Sequence, residues 1–222
     1  MHRLKHPRRG RLAALLLALA PGAFATDAAA IAHQGVPGKV PACQACHGAD
    51  GGGQAMAGFP RLAGLDAQYL RKQLDDLAGG SRDNAVMKPI ASGLTEAERE
   101  AIAAYYSQLP VPAALATPAT PMPAADSVGA VLATRGRWSR QIPGCVQCHG
   151  PEGVGVGAHF PPLAGQSSAY IAAQLKAWKR GTRHNDPLQL MQHIGKALDD
   201  QDIAAVAAWF AAQPLKAKGA TP

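Results

Sequence analysis

Aromatic residues make up only 5% of this 222-residue chain, and there are four cysteines. So few cysteines exclude a disulfide-dense miniprotein. No stretch alternates apolar and polar positions with strand-favouring side chains, which excludes a β-rich module. No apolar run approaches the roughly 20 residues that span a bilayer. The first 25 residues contain no acid, yet hold Arg3, Lys5, Arg8, Arg9 and Arg11. Apolar residues are 47% of the whole, within the ordinary globular range, so wholesale disorder is excluded too.

The leading segment has the order of a secretory signal peptide. Basic residues come first, then the apolar run Leu12 to Ala20, then the small-x-small site Ala23-Phe24-Ala25. An uncleaved anchor or basic amphipathic helix is the competing reading, and the short run argues against it. Cleavage after Ala25 removes five of the 22 basic residues. The remaining 17 face 15 acids, and the net charge falls from +7 to +2. Residues 1–25 are therefore read as a signal peptide and the mature chain as exported to the periplasm. A nucleic-acid partner loses its support, and membrane association is at most peripheral.

The rest of the chain is written twice. Cys43-Gln44-Ala45-Cys46-His47-Gly48 returns as Cys145-Val146-Gln147-Cys148-His149-Gly150, and Phe59-Pro60-Arg61-Leu62-Ala63-Gly64 as Phe160-Pro161-Pro162-Leu163-Ala164-Gly165. Tyr69, Leu74, Arg82 and Asn84 match Tyr170, Leu175, Arg183 and Asn185; Met87 matches Met191 after a three-residue insertion. The expected organisation is a first module at 26–109, a Pro-rich linker at 110–126 and a second module at 127–222. Five prolines between Pro110 and Pro123 bar a continuous helix there and favour extended backbone. Each module reads as all-α. Apolar residues at helical spacing mark Asp66 to Gly79 and Ser167 to Gly181. Thr95 with Glu98 forms a capping-box pattern that opens a further helix to about Leu109, and its partner starts near Asp199.

Cys-x-x-Cys-His is the attachment sequence for c-type haem. Two thiols three positions apart on a helical turn each form a thioether to one vinyl group, and the next residue supplies an imidazole to the iron. Cys43 and Cys46 with His47, and Cys145 and Cys148 with His149, predict two covalently bound haem c groups. A four-thiolate zinc site, thioredoxin-like pairs and plain disulfides all leave both histidines unexplained. For the second axial position, Met87 and Met191 are the only methionines that recur in both modules. Met56 has no counterpart, and His159, His184 and His193 have no histidine partners in the first module. The carbonyls of Pro60 and Pro161 are the expected acceptors for the second ring nitrogen of each ligand histidine. Arg82/Asn84 and Arg183/Asn185 are read as contacts to propionates, braces for the methionine segments, or solvated loop residues.

On these motifs the chain resembles the diheme class I cytochromes c, close to the cytochrome c4 family. The resemblance covers nearly all of residues 35–213. It implies two tandem class I cytochrome c folds, each with His–Met ligation, and periplasmic electron transfer rather than enzymatic turnover. The implied donor is a cytochrome bc complex or a dehydrogenase, and the implied acceptor a terminal oxidase or reductase. A fixed cytochrome subunit of a larger periplasmic dehydrogenase, such as flavocytochrome sulfide dehydrogenase, is the alternative. A diheme peroxidase would need an exchangeable iron ligand, and both modules offer a methionine instead.

Overall fold

The computed structural model describes residues 27–115 and 120–215. The expected signal peptide lies outside the described residues, as does linker segment 116–119. Ten α-helices are present among the described residues, and the only strand pairing there is a set of isolated bridges. The first half contains α1 (Ala28–Gln34), α2 (Gln44–His47), α3 (Ala67–Gly79), α4 (Met87–Gly93) and α5 (Glu96–Gln108). The second repeats them as α6 (Val128–Thr134), α7 (Val146–His149), α8 (Ser168–Arg180), α9 (Leu190–Ala197) and α10 (Asp200–Ala211).

The caps explain where these helices start. Asp66 accepts the N–H groups of Gln68 and Tyr69, and Ser167 accepts that of Tyr170. Thr95 and Glu98 form the complete capping box expected of them, and Asp199 with Asp202 forms the second. Gly80 and Gly181, both left-handed, end α3 and α8. The opening helices α1 and α6 are short, and each runs into a tight bridged loop, Val36 with Val40 and Arg137 with Ile142. Gly35 and Gly136 make those turns; a Cβ would lie 2.2 Å and 2.3 Å from the carbonyl oxygens of Val40 and Ile142. Helices α4 and α9 are elements that the sequence does not announce, since α4 contains Pro89 and both carry a glycine.

In each half the last helix crosses the first and third. Helix α5 packs on α1 and α3, and α10 on α6 and α8. Ile31, Leu70, Leu94, Ile102 and Tyr106 form one core; Leu132, Ile171, Leu198, Ile203 and Phe210 form the other. After α5 the chain turns extended at Leu109, and a single 3-10 turn at Ala113–Leu115 follows. The Leu115 carbonyl accepts the N–H of Leu215, tying the connector to the end of the second half.

The two halves face each other about a pseudo-two-fold axis. Arg82 and Arg183 pair as a backbone bridge. Asp83 N–H donates to Thr182 O at 2.8 Å, and His184 N–H to Ser81 O at 2.9 Å. Each guanidinium then donates to the glutamine of its own half and to that of the other: Arg82 to Gln73 and Gln174 (3.0 Å each), Arg183 to Gln174 (2.8 Å) and Gln73 (2.9 Å). Arg82 also donates to the Tyr170 hydroxyl at 2.7 Å. The two arginines are thus placed between the halves, and the solvated-loop reading of them does not hold.

Candidate haem sites

Each Cys-x-x-Cys-His segment forms one turn of helix, α2 or α7, stopped by a glycine at φ near +80° (Gly48 and Gly150). The His47 and His149 N–H groups donate to the Cys43 and Cys145 carbonyls, both at 2.9 Å, so thiols and imidazole share one turn. The Phe-Pro segment is fixed opposite. In the first half Gly51 O accepts from Leu62 and Ala63; in the second Gly153 O accepts from Leu163 and Ala164. This brings Pro60 O within 2.9 Å of His47 Nδ1, and Pro161 O within 2.8 Å of His149 Nδ1. A carbonyl only accepts, so Nδ1 carries the proton and Nε2 keeps its lone pair for a metal. Burial lowers both histidine pKa values, against the opposing pull of the proline carbonyls, and holds the rings neutral.

The cysteines are partly buried and unpaired. Burial raises the Cys43 thiol and pushes that of Cys145 up to about 11. Their sulfurs point at matching carbonyls, Cys43 to Ile31 O and Cys145 to Leu132 O. Such thiols are neutral and sheltered, unlike the activated thiolates of redox pairs.

A continuous cavity of about 630 Å³ runs through both halves. Its wall includes Cys43, Cys46, His47, Pro60 and Met87 from the first half, and Cys145, Cys148, His149, Pro161 and Met191 from the second. Met87 opens α4 and Met191 lies in the first turn of α9. Of the other candidates, Met56 is wholly exposed and off this wall; His184 and His193 are exposed and off it too, and His159 lies on the wall but is exposed. Leu70, Leu94, Ile171 and Leu198 make much of the wall apolar. Trp178 Nε1, also on the wall, is a buried donor with no protein acceptor, and Arg183 lies 3.9 Å over its ring. Neutral imidazoles, sheltered thiols, thioethers and apolar walls with a few spare donors fit a haem in each half. When bound, haem supplies one-electron chemistry at its iron. The protein positions the donors and excludes water.

Sequence reasoning missed Arg61, Gln73, Gln166 and Gln174. Gln73 and Gln174 recur at the same spacing as Tyr69 and Tyr170, and that recurrence was the available signal. Arg61 and Gln166 carried none, because their counterparts are Pro162 and Leu65.

The Cytochrome c family matches residues 39–110 and 139–213. A thiosulfate dehydrogenase electron acceptor from Stutzerimonas stutzeri is 54% identical over 203 residues, covering 90% of this chain and 91% of its own. Cytochrome c4 from Pseudomonas aeruginosa is 37% identical over 174 residues, covering 78% and 84%. Among solved structures, reduced cytochrome c4 from Pseudomonas stutzeri superposes with a TM-score of 0.66 at 35% identity, over 78% of this chain and 93% of that one. Thiosulfate dehydrogenase from Marichromatium purpuratum gives a TM-score of 0.76 at 42% identity over 85% of this chain, which spans only 40% of that longer one. With two Cys-x-x-Cys-His sites in two helical cytochrome c domains, the chain belongs to the cytochrome c4 family of diheme class I cytochromes c, carries two covalently bound haem c groups and transfers electrons.

Proposed function

We propose that this protein is a periplasmic electron carrier that takes electrons from a thiosulfate dehydrogenase and delivers them to a terminal oxidase or reductase. In this reading residues 1–25 are an export signal cleaved after Ala25, and two cytochrome domains, 26–109 and 127–222, are joined by the linker at 110–126. Cys43, Cys46, Cys145 and Cys148 form the thioethers. His47 with Met87, and His149 with Met191, are the axial ligand pairs. The carrying observation is the duplicated pairing of a buried imidazole with a proline carbonyl, at 2.9 and 2.8 Å, on the wall that also holds the methionines. Pro60 and Pro161 fix ring orientation and tautomer. Two axial protein ligands per iron leave no open position for a substrate, which supports a carrier over a peroxidase.

The likeness to an electron acceptor of thiosulfate dehydrogenase supports that donor over a cytochrome bc complex. Among the described residues no helix is long and apolar enough to cross a membrane. Stopped-flow mixing of the oxidised holoprotein with a thiosulfate dehydrogenase and thiosulfate tests the assignment. Rapid reduction of both haems is expected; reduction no faster than by thiosulfate alone refutes the donor. A fixed subunit is the second reading, supported by the likeness to part of the longer Marichromatium chain. Purification from the native host separates the two, since a fixed subunit elutes with its dehydrogenase and a carrier elutes alone.

A further inference from the structure

Arg61 is the largest of the fully buried side chains, at 2% exposure. Among the described residues no carboxylate pairs with it. Its Nη1 donates to Ala63 O at 2.6 Å and its Nη2 to Ala164 O at 3.4 Å, while Nε has no partner. Ala63 and Ala164 are repeat counterparts, so the guanidinium lies across the pseudo-two-fold axis, nearer the first half. The backbone of Arg61 exchanges two hydrogen bonds with the Gln166 side chain (3.1 and 2.9 Å), which holds the residue in place. Burial lowers its pKa to about 10, so it stays charged at neutral pH. It lies on the cavity wall, directly after the proline whose carbonyl orients His47. The second half has the neutral Pro162 at this position.

We propose that Arg61 sets the distribution of electrons between the two haems, raising the reduction potential of the first more than that of the second. The inference rests on the proposed His–Met ligation of both haems. Reduction adds one electron to a site and makes or breaks no bond, so a fixed positive charge nearby stabilises the reduced state directly. Surface charges are screened by water and salt; a buried cation is screened far less. Arg82 and Arg183 each serve the glutamines of both halves. Elsewhere the interface is uneven: Lys72 donates to Asn185 O and Asp76 accepts from Asn185 Nδ2, where the second half has Ala173 and Ala177, but Lys72 and Asp76 pair with each other and their charges offset. Arg61 is the buried cation that has neither a carboxylate partner among the described residues nor a charged counterpart in the other half. It also opposes the formal charge of the rest of its own half, which without Arg61 is −3 over residues 26–120 (six basic, nine acidic), against +4 over 121–222. Arg61 thus acts on the haems through its field, as a positioning residue for the electron.

The test is potentiometric titration of the holoprotein with Arg61→Met, Arg61→Gln and Arg61→Lys. Each is made also with Met191→His or Met87→His, so that one haem is displaced and the other read alone. Arg61→Met and Arg61→Gln should lower the first potential more than the second. The equilibrium between the two singly reduced forms should shift on the order of threefold to tenfold. Arg61→Lys should retain most of the native separation. Gln166→Leu removes the interdomain contact and keeps the charge; it should weaken the interface and leave the separation unchanged. Equal shifts at both haems, no shift in a folded variant, or a lysine variant that behaves like methionine would each overturn the proposal. Failure of the proposed axial ligation is distinct: the unsubstituted protein would itself lack the low-spin His–Met signature at its haems.

Discussion

Gln73→Leu is the sharpest probe of how the two halves are held. Gln73 is buried, and its Oε1 accepts from Arg82 Nη1 (3.0 Å), Arg183 Nη2 (2.9 Å) and Asn185 Nδ2 (3.1 Å). Two of those donors belong to the opposite half. A hydrogen bond to a charged group contributes about 1.5–3 kcal/mol, so losing the two from Arg82 and Arg183 costs at most about 3–6 kcal/mol, while Asn185 Nδ2 keeps Asp76 as acceptor. The guanidiniums keep other acceptors, however. Arg82 retains Tyr170 and Gln174, and Arg183 retains Gln174 and Asn185. Halving for these, and crediting the leucine with about 1 kcal/mol of apolar burial, leaves a net loss of about 0.5–2 kcal/mol. Denaturant unfolding of the holoprotein measures it, with proteolysis across 110–123 reporting separation of the halves. Faster linker cleavage should accompany the loss. A change below about 0.3 kcal/mol, or a loss with unaltered linker cleavage, would show that the arginine–glutamine cluster does not hold the halves together.

Further expectations concern single halves. Replacing Cys43 and Cys46 by serine should halve the covalent haem content, read by mass spectrometry and the pyridine haemochrome, and leave the second haem attached. Met87→His and Met191→His should each lower one midpoint potential, because methionine ligation holds it high; titrations in which neither moves would remove both ligand assignments. Phe210→Ala empties a site that is 1% exposed beside Trp209 and should cost about 3–5 kcal/mol, confined to the second half in calorimetry. Thr95→Ala removes an N-cap and should cost about 1 kcal/mol. The Glu98 carboxylate is held below its ordinary pKa of 4.5, first by the Thr95 N–H and then by the Thr95 hydroxyl. Its contribution is therefore full above about 4.5 and is lost as pH falls through the lower folded value. Glu98→Gln should flatten that part of the acid unfolding curve.

What the sequence made legible depended on whether the physics was local. Caps are local, so Asp66, Thr95, Ser167 and Asp199 marked helix starts that the structure places within a residue of them. The Cys-x-x-Cys-His turns are equally local. Helices α4 and α9 were not legible, because Pro89, Gly93 and Gly195 weaken any propensity signal there. Ile90, Ala91 and Ile194 form them by packing against the longer helices, a tertiary effect. The cluster at the interface was the hardest to read. Gln73 and Tyr69 on α3, with Arg82 just beyond it, have the composition of a solvated surface, and a second copy of the same surface turns them inward. Duplication is therefore informative in two directions. A residue repeated in both copies, such as Gln73 with Gln174, is constrained by a role that each half needs. A residue whose side chain reaches from one half to the carbonyls of both need not recur, since Arg61 alone bonds Ala63 O and its counterpart Ala164 O. Arg61 opposite Pro162 is that case, and the same asymmetry that hid it from the repeat comparison is what lets it treat the two haems differently.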